Sequence, residues 1–249
     1  MRDGRVDFLI AGVQKGGTTA LHAYLAEHPG LNLAAEKEVH FFDDETVDWR
    51  APDYGAYHAR FDPAAGRITG ESTPIYVYWP ESLERARRYN PALRLVLLFR
   101  DPVARAWSHW KMESGRGLET EPFARCIREG RRRVAESADP PGHHRVFSYV
   151  ERGFYAAQLE RVFRLFAREQ VLLLRSDDLR DAPAATLARV CAFLGVDPAG
   201  IDPSPRRVFV GEDAGEPAPD DVEHLRALYA DDQREFERVA GFTLRQAAV

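Results

Sequence analysis

Lys15-Gly16-Gly17-Thr18-Thr19 places one ammonium, two glycines and two hydroxyls in five consecutive residues. That set suits an anion, above all a phosphate: glycines let backbone N–H groups approach a ligand closely, and the lysine adds charge. The common pattern G-x-x-x-x-G-K-[ST] is met at Gly12 and Gly17, but Thr18 stands where the lysine belongs and the lysine has moved forward to position 15. The loop therefore places its cation differently from a nucleotide triphosphatase. Three further clusters carry reactive types: Glu38 with His40, Glu71-Ser72-Thr73-Pro74, and Arg100 with Ser108. In an extended chain Glu38 and His40 project to the same side. A guanidinium at Arg100 can donate bidentately to a phosphate, and Ser108 adds a hydroxyl from the following helix.

These clusters need elements to hold them. The apolar run Val6 to Val13 reads as a buried parallel strand, and Ala20 to Leu25 has helical spacing. Strand, glycine turn and helix aim free N–H groups at an anion. Short strands follow at Gly30–Ala34 and Ile68–Pro74, the latter ending at a turn, and the strongest strand is Leu93–Phe99. Asp101 then suits an N-cap, with Pro102 at the first position of a helix running to about Ser114. An arginine-rich helix is expected over 121–136, an amphipathic one over 154–168, a strand at 171–174, a helix at 184–194 ended by Gly195, and a terminal helix over 222–239. Alternating strands and helices argue an α/β fold: a P-loop-like parallel sheet with helices on both faces, one domain over residues 1–249.

Composition narrows the function. Net charge is −5, which disfavours a nucleic-acid partner. Lys15, Lys37 and Lys111 are the only lysines, so arginine is the default cation and a lysine in the loop stands out. Cys126 and Cys191 read as two buried free thiols. No apolar run approaches a membrane span, and Met1–Arg5 leads directly into the first strand, so a cytoplasmic protein without membrane attachment is expected.

The order of these motifs resembles the sulfotransferases that use 3′-phosphoadenosine 5′-phosphosulfate (PAPS), most of all the heparan-sulfate N- and 3-O-sulfotransferase type. The matching residues are Val13 to Leu21, His28-Pro29, Lys37-Glu38-Val39-His40-Phe41-Phe42, Glu71 to Pro74 with Tyr76, Asn90-Pro91, Arg100-Asp101-Pro102 with Arg105 and Ser108, Gly153-Phe154-Tyr155, and Phe193 to Val196. The resemblance implies the sulfotransferase fold and transfer of a sulfuryl group from PAPS, leaving adenosine 3′,5′-bisphosphate (PAP). It implies that Lys15, Gly16, Gly17, Thr18 and Thr19 hold the 5′-phosphosulfate, with Lys15 near the bridging oxygen. It implies Arg100 and Ser108 at the 3′-phosphate and Glu38 as catalytic base. His40 then orients the acceptor, assists Glu38, or is merely packed. The expected acceptor is a hydroxyl, or less often an amine, on a small molecule or sugar, in a bacterial small-molecule member. No metal is expected.

Two departures stand out. Ser72 occupies the place of a lysine in the heparan-type enzymes and brings no positive charge. Arg206 to Asp213 replaces their cysteine-bridged hairpin, with Phe209 a candidate to stack on adenine. Lys37 reads as a surface charge and Arg128, Arg131, Arg132 and Arg133 as a solvated helix face or an attractor for an anionic acceptor. Trp49, Tyr54, Tyr57 and Trp79 read as core or as acceptor pocket. Two other functions fit parts of the pattern: a P-loop kinase with Asp101 on a metal, and a non-catalytic nucleotide-binding module.

Overall fold

Phe8–Gly12 forms β1, and all five residues are buried, as a central strand covered on both faces requires. A computed structural model describes residues 5–62, 66–138, 140–204 and 215–247. After β1 the chain runs through α1 (Thr18–Ala26), β2 (Leu31–Leu33), α2 (Tyr54–His58), β3 (Ile68–Ser72), α3 (Ser82–Tyr89) and β4 (Arg94–Phe99). There follow α4 (Pro102–Gly115), α5 (Phe123–Cys126), α6 (Arg132–Ala135), α7 (Tyr155–Leu165), β5 (Val171–Arg175), α8 (Ser176–Asp181), α9 (Pro183–Leu194) and α10 (Pro219–Ala240). Among the described residues no helix is long and apolar enough to cross a membrane.

The chain divides into two compact units, Met1–Phe99 with Val162–Phe209 and Arg100–Arg161 with Val210–Val249. The first contains a five-stranded sheet of order β2-β3-β1-β4-β5, with every pair parallel. β1 lies at the centre. From it the chain first builds β2 and β3 on one side and then β4 and β5 on the other. The loop after β1 thus leaves the sheet at its topological switch point, the edge where open α/β sheets bind ligands.

Side chains alternate across β1. Phe8 and Ile10, with Val96 and Leu98 of β4, pack against Leu21 and Leu25 of α1 and Leu187, Val190 and Leu194 of α9. Leu9, Ala11, Leu95 and Leu97 are buried on the opposite face. The start of β1 is anchored by α3: Val6 donates its N–H to the Tyr89 hydroxyl (2.8 Å), and the Asn90 amide donates to the Val6 carbonyl (2.8 Å). Gly195, at φ +77, ends α9 as expected. Cys191 is buried and free in this unit.

The second unit is helical. Val103 and Ala106 of α4 pack with Phe123, Ile127, Val150, and Val222, Leu225 and Tyr229 of α10. Asp101 caps α4, accepting the Ala104 N–H (3.3 Å), and Pro102 opens the helix, as the sequence predicts. Asp232 of α10 caps α7 by accepting from Tyr155 (2.7 Å) and Ala156 (3.1 Å). Cys126 is a buried free thiol here.

The single arginine-rich helix expected over 121–136 is not formed. It is broken into α5, a 3-10 turn at Glu129–Arg131 and α6. Gly130 weakens helix propensity in the middle of the stretch. Ion pairs supply the rest of the reason, because Arg133 turns back to Glu119 (2.7 Å) and Arg128 reaches Asp221 (2.6 Å).

Candidate active site

The loop after β1 is built by close backbone approach. Val13 donates its N–H to the Leu98 carbonyl (2.9 Å), which straps the loop to β4, and Gly16 N–H closes a turn on the Val13 carbonyl (2.9 Å). A Cβ at Gly16 would lie 2.4 Å from the Leu98 carbonyl oxygen, so only glycine fits. Lys15 and Gly17 adopt φ +67 and +95. Gly17 is the N-cap of α1, and no side chain caps that helix. Its first N–H groups therefore depend on solvent or a ligand, and the positive end of the helix dipole favours an anion. Thr18 is buried and Thr19 half-buried at the same turn. These observations fit the phosphate group expected of this loop. The Ser176 hydroxyl, at the end of β5, stands 3.2 Å from where a Gly17 Cβ would be. The sequence pointed to no role for Ser176; a polar residue directly after a sheet strand was the available signal.

Glu38 lies in the segment between β2 and α2. It is not extended there. Glu38 and His40 both adopt positive φ, +67 and +55, so the expectation that an extended chain aligns them gives way to two left-handed turns. They still meet: His40 Nε2 is 3.6 Å from Glu38 Oε2. The Lys37 ammonium donates to Glu38 Oε1. Lys37 is only 18 % exposed and paired, so it is part of the site rather than a surface charge. On the other side of the ring, His40 Nδ1 donates to the fully buried Asp43 carboxylate (2.9 Å).

This arrangement sets the charges. Burial alone would raise the Glu38 pKa; the hydrogen bond from His40 and the charge and hydrogen bond of Lys37 outweigh it and hold the carboxyl near about 2. His40 is pushed up to about 9 by its hydrogen bond to Asp43 and then by Glu38, against burial. At neutral pH Glu38 is ionised and His40 is an imidazolium. His22, on α1, is driven down to about 4 by burial and by the Lys37 charge, so it stays neutral. Asp43 escaped the sequence reading, since an acid three residues beyond His40 gave no periodic signal.

Ser72 ends β3 with its side chain buried, and its carbonyl accepts the Glu38 N–H (2.9 Å). The aromatic residues offered as a pocket are mainly packing. Phe41 stacks on the buried Tyr57 (4.5 Å, 16°), Trp79 is buried with its indole N–H on Glu45 (2.9 Å), and the Arg85 guanidinium lies 4.5 Å over Trp49.

Arg100 and Ser108 belong to the second unit. The Arg100 carbonyl accepts the Tyr155 hydroxyl (3.0 Å), and Ser108 is half-buried on α4. Phe209, with Arg206 and Arg207, falls outside the described residues. The basic run is neutralised locally: besides the two pairs above, Arg131 meets Glu151 (2.9 Å) and Arg132 meets Glu136 (3.5 Å). Among the described residues no group of three or more His, Cys, Asp or Glu is arranged to hold a metal ion.

Comparison with known proteins decides the family. The sulfotransferase-domain family model matches residues 5–206. This chain belongs to the sulfotransferase family. The human heparan sulfate glucosamine 3-O-sulfotransferase 3B1 (Homo sapiens) is 33 % identical over 191 residues, covering 76 % of this chain and 45 % of that protein. The chain thus spans less than half the length of that curated relative. The crystal structure of a sulfotransferase from Alicyclobacillus acidocaldarius matches at TM-score 0.79 and 29 % identity, over 96 % of this chain and 97 % of that one. Mouse sulfotransferase SULT7A1, solved in complex with PAP, shares the fold at TM-score 0.58 and 14 % identity, over 95 % and 87 % of the two chains. The parallel sheet flanked by helices is the sulfotransferase fold, as the sequence predicts.

Proposed function

We propose that this sulfotransferase-family chain transfers a sulfuryl group from PAPS to a hydroxyl, or less often an amine, on a small molecule or sugar. The observation that carries the reading is the Glu38 carboxylate held between Lys37 and the His40 imidazolium, in the same unit as the glycine loop. PAPS supplies an activated sulfuryl group on an anhydride with phosphate. Glu38 takes the proton of the acceptor hydroxyl as that oxygen bonds to sulfur. Lys15 and the N–H groups of Gly17, Thr18 and Thr19 neutralise the charge left on the 5′-phosphate as its bond to sulfur breaks. Arg100 and Ser108 take the 3′-phosphate.

A carboxylate held near about 2 is always ionised but is a weak base. An acceptor hydroxyl that displaces Lys37 from Glu38 raises its basicity and frees an ammonium beside the sulfuryl oxygens. Lys37 and His40 thereby supply the positive charge that Ser72 does not. Kinase chemistry is disfavoured because the Asp101 carboxylate is occupied as a helix cap, accepting from Ala104 (3.3 Å) and Ala247 (3.4 Å).

The test is transfer from labelled PAPS to a panel of hydroxyl and amine acceptors with a metal chelator present. Transfer should persist, and Glu38→Gln should lose about 10²–10⁴-fold in rate while still binding PAP. Retained turnover in that variant removes Glu38 from the mechanism.

A further inference from the structure

Glu71 is a buried carboxylate close to the catalytic segment for which the reaction above has no use. It is fully buried on β3, and among the described residues no lysine, arginine or histidine pairs with it. Three hydroxyls serve it instead. Tyr57 donates to Oε1 at 2.6 Å, Tyr76 to the same oxygen at 3.1 Å, and Thr73 to Oε2 at 2.7 Å. Burial raises its pKa against those bonds, and the nearby Asp43 charge adds to the rise.

Two of these hydroxyls face the segment that carries Glu38 and His40. The Tyr76 oxygen, oriented by donating to Glu71, accepts the N–H groups of Phe41 (3.0 Å) and Phe42 (3.3 Å). The Thr73 oxygen, oriented in the same way, lies 3.5 Å from the His40 N–H. Tyr57 adds its ring beneath Phe41. A hydroxyl has one proton, so committing it to Glu71 leaves only lone pairs for the segment. The carboxylate therefore polarises both hydroxyls into acceptors. The segment needs such restraint, because Glu38 and His40 sit at positive φ, where side chains with a Cβ are strained and persist only if their surroundings over-determine them.

We propose that Glu71 is a positioning residue: by fixing the Tyr76 and Thr73 hydroxyls as acceptors it locks residues 38–43 in the left-handed path that presents Glu38 and His40. The inference rests on Glu38 being the base. It assigns the first residue of the Glu71–Pro74 cluster to the geometry of the site, whereas Ser72 contributes only a backbone carbonyl.

Glu71→Gln and Tyr76→Phe test it. Glutamine replaces one of the two accepting oxygens by an amide N–H₂, so at least one of the three hydroxyl protons loses its acceptor, and phenylalanine keeps the packing while removing the acceptor for two N–H groups. Each variant should lower kcat ten- to hundredfold with the PAP Kd within twofold of wild type. In each, amide hydrogen exchange at Phe41 and Phe42 should accelerate at least tenfold. If Glu71→Gln fails to fold, Tyr76→Phe decides. Unchanged kcat, unchanged exchange at those two amides, or a parallel loss of PAP affinity and global stability would each overturn the proposal. A wild-type protein that neither binds PAP nor transfers sulfate would defeat the functional reading instead, and the exchange measurement would still report on Glu71.

Discussion

His40 donates from Nδ1 to the buried carboxylate of Asp43 at 2.9 Å, so the ring is held with Nε2 facing Glu38. The pair turns a histidine on a positive-φ residue into a fixed cation, and this makes the site sensitive to alkaline pH.

Asp43→Asn should therefore shift the alkaline limb of kcat. His40 has a raised pKa, so its contribution to stability is complete below its ordinary value of 6.5 and is lost as pH climbs through about 9. Glu38 has a lowered pKa, so its contribution is complete above 4.5 and is lost as pH falls towards about 2. The wild-type pair should be most stabilising between these limits. The loss from pH 6.5 to 9 should be on the order of 1 kcal/mol, since a 44 % exposed imidazole is screened by solvent. In Asp43→Asn both the stability loss and the activity loss should begin at lower pH. Urea titrations and kcat profiles across pH 5–10 (about the range in which this imidazole titrates) measure this. An unmoved alkaline limb would detach His40 from Asp43.

Gly16→Ala should fail for a steric reason. Its Cβ would stand 2.4 Å from the carbonyl of Leu98, on a central strand that cannot yield. Overpacking of this kind costs about 1–3 kcal/mol, and the displaced loop should lose PAP. Urea denaturation together with calorimetry checks both. A stable variant that binds PAP as well as wild type would show that the close approach is unimportant.

Arg100→Ala should weaken PAP binding by about 1.5–3 kcal/mol, the usual value of hydrogen bonds to a charged group. Adenosine 5′-monophosphate, which lacks the 3′-phosphate, should bind both proteins alike. Calorimetry with the two nucleotides reads the difference. Equal loss for both would move Arg100 away from the 3′-phosphate.

How much of this was legible depends on the range of the interactions. β1 and β4 could be read because strands buried on both faces are continuous apolar runs, and the turn at Gly16 and Gly17 because its conformation is local. The α4 cap was legible for the same reason. Lys37 reads as a surface charge in sequence, but its low exposure is set by the fold around it, which no local window contains. Asp43 and Ser176 carry little local signal, because each acts across a turn or between strands. The 121–136 stretch has helical composition, but its breaks come from ion pairs to Glu119 and Asp221, outside any local window.

The protein is expected to bind an adenosine carrying both 3′- and 5′-phosphates in preference to ATP. The measurement is the denaturation free energy of the wild-type protein with PAP and, separately, with ATP and magnesium. PAP at a hundredfold excess over its Kd should stabilise the protein by about 2.7 kcal/mol, with ATP well below that. A larger effect from ATP with magnesium, or none from PAP, would contradict the account.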